Sequence, residues 1–211
     1  MADRPDLAMK RGAPVRLRCG LALIMATSLA GCGVLANSRD AKDDKPEMDM
    51  REAARYADEV ISGTMGAVVP PVRWAHGTST DGVCEGGAPA GTGSVTRRAA
   101  ITTDVSSQRR GSLLGVIERH WKKRGDEITE VRKHKESPAM FATTPDAFRM
   151  SLVVGYQGQV FIDVVTPCMT RSEVPPPGAR PGVPDYTGRK PPLPDEHSDF
   201  WSDRAPVPGK G

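Results

Sequence analysis

The stretch Phe148-Arg149-Met150-Ser151-Leu152-Val153-Val154-Gly155-Tyr156-Gln157-Gly158-Gln159-Val160-Phe161-Ile162-Asp163-Val164-Val165-Thr166 decides the fold class of this chain. Phe148, Met150, Leu152 and Val154 alternate with Arg149, Ser151 and Val153, the period of a strand with one buried face. Gln157-Gly158 supplies a hairpin turn, less diagnostic than Asn-Gly. Residues 160–166 are apolar on both faces except at Asp163, as an inner strand would be. The segment reads as part of an antiparallel meander.

Working back towards the N-terminus, residues 139–144 form a short strand between the turns Ser137-Pro138 and Pro145-Asp146. Residues 127–134 alternate through Ile128 and Val131. Before them Leu113, Leu114, Ile117 and Trp121 recur at helical spacing. Ser106 or Ser107 can cap that helix and Gly125 can stop it, while Lys122-Lys123-Arg124 suit the negative end of its dipole. Gly111 and Gly115 cost helix propensity and are expected to let the helix sit close on a sheet. Residues 95–104 read as a strand, with Val95, Ala99, Ile101 and Thr103 on one face and Thr96, Arg98 and Thr102 on the other. Residues 72–94, glycine-rich and carrying Trp74, His76 and Cys84, read as one long loop. Upstream, Met50, Ala53, Ala57, Val60 and Ile61 predict a helix opened by an Asp49/Glu52 capping box. Gly63 and Gly66 mark its end and Pro70-Pro71 block its continuation.

The N-terminus has a different logic. The formal charge of +3 lies wholly in the first 31 residues, where Arg4, Lys10, Arg11, Arg16 and Arg18 outweigh Asp3 and Asp6. The remainder is balanced, so charge gives no general argument for nucleic acid, which is not expected as a partner. A basic segment, Lys10 to Arg18, precedes the apolar run Leu21-Ala22-Leu23-Ile24-Met25-Ala26, and small residues lead on to Leu29-Ala30-Gly31-Cys32. That order is a secretory signal peptide over residues 1–31, with an apolar stretch too short to span a bilayer. Translation from Met9 would give a more compact basic segment than translation from Met1. Leu29-Ala30-Gly31-Cys32 resembles the lipobox of bacterial lipoproteins. The resemblance implies a thioether-linked lipid on Cys32, cleavage before it and acylation of the new amino group. Two or more acyl chains hold a protein stably at a membrane. Residues 32–48, with Asp40-Ala41-Lys42-Asp43-Asp44-Lys45-Pro46, are expected to be a flexible tether.

With Cys19 in the signal segment and Cys32 lipidated, Cys84 and Cys168 remain. In an oxidising compartment they are expected to form a disulfide, the alternatives being two free thiols or a shared metal. Neither lies in a C-x-x-C pair or near a suitably spaced His, so no metal is expected. A bridge would draw the start of the first strand towards the end of the last. The expected fold is thus α+β: a two-layer domain over residues 49–170 with an antiparallel sheet of about five strands, spatial order 1-5-4-3-2. One main helix crosses its face, and the N-terminal helix adds to it.

Residues 171–211 change composition, with Pro175-Pro176-Pro177, Pro181, Pro184, Pro191-Pro192 and Pro194, and are expected to be disordered or polyproline-like. Phe200-Trp201, set among Asp195, Glu196, Asp199 and Asp203, is expected to dock into a partner. The alternative is that the pair folds back onto its own domain.

Signatures of chemistry are sparse. The chain has no H-E-x-x-H, G-x-S-x-G, S-x-x-K or Lys-Thr-Gly, and His76, His120, His134 and His197 show no metal-ligand spacing. The segment Gly87-Ala88-Pro89-Ala90-Gly91-Thr92-Gly93-Ser94 lacks the Lys of a phosphate loop. Asp126, Glu127 and Glu130 read as solvated carboxylates at a strand entrance. The local charge feature is basic: Arg109, Arg110, Arg119, Lys122, Lys123, Arg124, Arg132, Lys133 and Lys135. Arg119, Lys122, Lys123 and Arg124 are the candidate contact for an anionic surface, against the plainer reading of a solvated helix face.

Three pieces, His120-Trp121-Lys122-Lys123-Arg124-Gly125, Phe148-Arg149-Met150-Ser151-Leu152 and Thr166-Pro167-Cys168, resemble small uncharacterised lipoproteins of high-GC Gram-positive bacteria. The resemblance implies a cell-envelope location and carries no activity. The expected protein is a non-catalytic binding module without a cofactor, lipid-anchored on the extracytoplasmic side of the cell membrane, with an envelope protein or anionic polymer as partner. Its oligomeric state is open. The alternative is a small-ligand or lipid carrier, with a pocket between the main helix and the sheet under Leu113, Ile117 and Trp121.

Overall fold

The computed structural model describes residues 48–180, 182–184, 186, 188–191 and 193–205. The signal segment, Cys32 and the tether up to residue 47 lie outside them. At Asp49 the carboxylate accepts from the Glu52 backbone N–H at 2.9 Å, and the Glu52 carboxylate accepts from the Asp49 N–H at 3.4 Å. This reciprocal capping box starts α1 (Met50–Gly66), which buries Met50, Ala53, Ala54, Ala57, Val60, Ile61 and Met65 along one side. The second helix, α2 (Ser107–Arg124), ends at Gly125 in the left-handed region (φ 94°), whose N–H reaches back to the Trp121 and Lys122 carbonyls. Ser106 takes the N-cap position, but its hydroxyl donates to the Asp203 carbonyl and does not cap the helix.

The strands are β1 (Trp74–His76), β2 (Thr80–Val83), β3 (Thr92–Ile101), β4 (Glu127–Arg132), β5 (Ala139–Thr143), β6 (Arg149–Val154), β7 (Val160–Val165) and β8 (Met169–Thr170). They form one antiparallel sheet in the order β1-β3-β7-β6-β5-β4, with β2 and β8 also paired to β3. The class is α+β, and the five strands expected from the sequence lie in the order 1-5-4-3-2. The sheet is larger than five strands. The supposed loop over residues 72–94 contains β1 and β2, both on β3. β2 is exposed along its length, so backbone pairing alone makes it a strand and no hydrophobic alternation marks it. Gln157 and Gly158 both have positive φ, but the turn is longer than a two-residue hairpin: Val154 pairs with Val160, and residues 155–159 connect β6 to β7 with Gly155 N–H donating to the Gln159 carbonyl at 2.7 Å.

Both helices cover the same face of the sheet. Val95, Ala99 and Ile101 of β3, Ile162 and Val164 of β7, and Leu152 of β6 meet α1 and the Leu113, Ile117 and Trp121 face of α2 in one core. Burial of each Val, Leu or Ile among them contributes on the order of 1.5–3 kcal/mol. Gly111 and Gly115 do not bring α2 closer to the sheet. Gly111 faces open space, and a Cβ on Gly115 would meet only the Arg119 guanidinium, at 3.3 Å. They fall on the side of the helix opposite the Leu113-Ile117-Trp121 stripe.

The segment after β8 is not a free tail. It runs from α1, where Arg51 N–H donates to the Ser172 hydroxyl at 2.9 Å, to the stretch after β3, where Asp195 N–H donates to the Thr102 carbonyl at 3.0 Å. It ends with Trp201 fully buried (0% exposed) in the same core, its indole N–H on the Pro70 carbonyl at 2.7 Å. The packed domain therefore extends past residue 170 at least to Ser202. The prolines do prevent helix and regular strand, but side-chain and end-on backbone bonds replace a ladder and cover the β1 edge.

Candidate functional site

Within β3 the odd-numbered side chains point at the helices, and among Val95, Ala99 and Ile101 one of them is Arg97. The side chain is 2% exposed, and every nitrogen faces a partner. Nε lies 3.3 Å from Asp58 Oδ1 of α1, Nη1 donates to the Ser79 hydroxyl at 2.9 Å, and Nη2 donates to the Pro175 carbonyl at 2.8 Å. His76 of β1 brings Nδ1 to 3.9 Å from the same Asp58 oxygen. The helix α1, the strands β1 and β3 and the Pro-rich segment thus converge on one ion pair, a buried guanidinium against a carboxylate that is still 20% exposed.

Burial dominates the electrostatics here. It pushes the Asp58 carboxyl up from 3.8 to about 6, with Glu59 adding to the rise and Arg97 opposing it. Burial also pulls the Arg97 guanidinium below its ordinary value, against the attraction of Asp58 and Asp81. A carboxyl that titrates near neutrality beside a fixed cation can take up or release a proton, and its neighbours can hold a small polar group.

Two cavities flank this cluster, with the 175–180 segment between them. One, of about 470 Å³, is lined by Asp58, Arg97, Arg55, Arg51, Pro175 and Gly178. The other, of about 340 Å³, is lined by His76, Pro177, Ala179, Arg180 and Tyr186, with Pro176 and Gly178 shared between the two. Arg180 stacks 3.6 Å over the Trp74 ring and donates to the Trp74 carbonyl at 2.6 Å, fixing the far end of the segment. Among the described residues no three His, Cys, Asp or Glu side chains converge to hold a metal ion.

The residues singled out from the sequence are scattered. Cys84 and Cys168 are joined in a disulfide, with Cα atoms 6.1 Å apart. Cys32 lies outside the described residues. Of the basic quartet on α2, Lys122 pairs with Glu118 at 2.6 Å and the half-buried Arg124 pairs with Asp126 at 2.7 Å. Arg119 and Lys123 remain exposed, one helical turn apart. Burial, with Arg124 nearby, holds His120 below its ordinary pKa, so it adds no charge to them at neutral pH. Arg109 does not belong to a surface patch: it is buried and paired with Asp203 and the Phe200 carbonyl. Asp126 is likewise buried against Arg124 and is not a solvated carboxylate. Phe200 is 38% exposed and packs edge-on against Trp201. Trp201 itself is core and cannot reach a partner while the domain is folded.

The Asp58–Arg97–His76 cluster was not among the sequence-derived candidates. Its signal was there: Arg97 interrupts the apolar parity of Val95, Ala99 and Ile101, and a cation on the inward face of a strand requires a buried partner. No family model and no curated protein matches the chain. Among solved structures the chain is similar to the crystal structure of a DUF4853 family protein from Actinomyces odontolyticus, with a TM-score of 0.41 and 15% identity. The similarity covers 62% of this chain and 74% of that one.

Proposed function

We propose that the chain is an exported lipoprotein, lipidated at Cys32 and held on the extracytoplasmic side of the cell membrane, where it serves as a non-catalytic binding module. The observation that carries the reading is the Cys84–Cys168 disulfide: small domains keep such bonds in oxidising compartments. No helix among the described residues is long and apolar enough to cross a membrane, so attachment would rest on the acylated N-terminus. Binding is favoured over carriage because Leu113, Ile117 and Trp121 are fully buried and line none of the cavities described above. The exposed pair Arg119 and Lys123 is the surface offered to an envelope protein or anionic polymer. The test is metabolic labelling of the full chain with palmitate, beside its Cys32→Ser variant. Label and membrane fractionation should both be lost in the variant; a variant that still labels and fractionates with membranes would overturn the reading. Recovery of an envelope partner should fall in an Arg119→Glu, Lys123→Glu variant.

A further inference from the structure

The 175–180 segment is held at both ends and, among the described residues, makes no hydrogen bond between them. Arg97 holds the Pro175 carbonyl and Arg180 grips Trp74, while among the described residues no hydrogen bond is made by Pro176, Pro177, Gly178 or Ala179. Pro176 and Pro177 have no N–H to give, and Pro177 alone of the span is buried. The span is also the wall dividing the two cavities, so displacing it would merge them and bring more water to Asp58, whose side chain is 20% exposed with the segment in place.

We propose that the 175–180 segment is a strap that closes over Asp58 and Arg97 as the Asp58 carboxyl takes up a proton from solvent, and loosens as it releases that proton. The groups facing Asp58 decide the direction. Its own helix presents Arg55 and Glu59, with Asp49, Arg51 and Glu52 at the cavity mouth. β3 presents Arg97, β1 presents His76, and β2 contributes Asp81 through its attraction on Arg97. The strap offers only the Pro175 carbonyl on one side and Arg180 at its far end, so closure brings no new cation to the carboxylate. Closure removes part of the water around Asp58, and burial is the leading cause that lifts its carboxyl to about 6. A carboxyl with a raised value in the closed state binds its proton more tightly there. Closure is thus strongest below the ordinary carboxylate value and weakens as pH rises through about 6. Arg97 stays charged throughout, held by Ser79 and Pro175.

Thiol labelling of the full chain carrying Pro177→Cys, read on the peptide that holds this position and corrected for the thiolate fraction at each pH, tests this, because Pro177 is the one buried side chain of the span. Protection should be greater at about pH 5 than at about pH 7.5, by up to about tenfold if opening fully rehydrates Asp58. Asp58→Asn should be protected equally at both pH values, with Asp58→Ser as the substitute if the amide disturbs the fold. His76→Asn should keep the difference, which separates the Asp58 carboxyl from the imidazole beside it. Arg180→Ala should lower protection at both pH values and leave their ratio. Equal protection at both pH values with Asp58 in place would overturn the proposal. So would a difference that survives in Asp58→Asn, or one that disappears in His76→Asn.

Discussion

Trp121 donates its indole N–H to the hydroxyl of Thr64 across 2.9 Å, and the Thr64 hydroxyl in turn donates to the Val60 carbonyl at 2.8 Å. The last turn of α2 is thereby tied to the last turn of α1 inside the core, by two residues that are both 0% exposed. Thr64→Val keeps the shape but strands a buried N–H, and should cost about 1–3 kcal/mol. Trp121→Ala also leaves a cavity and should cost about 3–5 kcal/mol, enough to unfold a marginal domain. Urea unfolding of both variants measures this. A Thr64→Val midpoint equal to that of the unaltered chain would mean the bond adds nothing.

The Cys84–Cys168 bridge closes a loop spanning 84 positions. On the chain-entropy account such a constraint contributes about 4–5 kcal/mol, and the bridge also clamps β2 to the β8 end of the sheet. Reductant should lower the melting temperature sharply, and Cys84→Ala should behave like Cys168→Ala. Melting that ignores reductant while both thiols label quantitatively would remove the bridge from the stability of the fold.

A tighter steric demand sits at Gly93 of β3. A Cβ there would stand 2.6 Å from the Gly82 carbonyl oxygen and 2.7 Å from Met50 Sδ. The methionine can swing aside, but the strand backbone of β2 cannot. Gly93→Ala should therefore detach β2 from β3, visible as faster amide exchange in residues 80–83. Unchanged exchange there would show that β2 has room to shift.

The Asp58 carboxyl makes a prediction about global stability. Its folded-state pKa is raised from 3.8 to about 6, so the ionised form is the costly one in the fold. Working the sign through, the Asp58 contribution to stability is greatest below about pH 4, declines between about pH 4 and 6, and is level above that. The decline amounts to at most about 3 kcal/mol. Asp58→Asn should flatten that slope, comparing urea midpoints of the two proteins at each pH. A slope identical in both proteins would assign the pH dependence to other groups.

What could be read from the sequence followed from periodicity. The capping box at Asp49, the Leu113-Ile117-Trp121 stripe, the Gly125 stop and the five long strands each announce themselves through local pattern, and antiparallel pairing of first and last strands then sets their order. What could not be read depended on partners distant in the chain. β2 exists only because β3 lies beside it, and Ser106 gives its hydroxyl to Asp203, not to its own helix. The candidate site is of this second kind, since Asp58, His76, Arg97 and Pro175 come from four separate elements. Its trace in the sequence was a single inward-facing arginine.

Trp201 is the sharpest departure from expectation, and it sets the last prediction. A pair of aromatics among acids in a proline-rich segment suggested a motif free to dock elsewhere. Instead the Trp201 indole is fully buried, its N–H on the Pro70 carbonyl and its own carbonyl accepting from Ser106 N–H. Beside it Arg109 pairs with Asp203 and lies 5.1 Å from the Phe200 ring, so the start of α2 and the end of the Pro-rich segment are held as one unit. Trp201→Ala should cost about 3–5 kcal/mol, whereas Phe200→Ala, with its ring partly in solvent, should cost much less. Truncation after Thr170 removes the strap and the indole together and should lower the melting temperature at least as far as Trp201→Ala alone. A truncated protein that melts with the full chain would mean that the segment adds nothing to the fold, and would return Phe200-Trp201 to the role of a partner-binding motif.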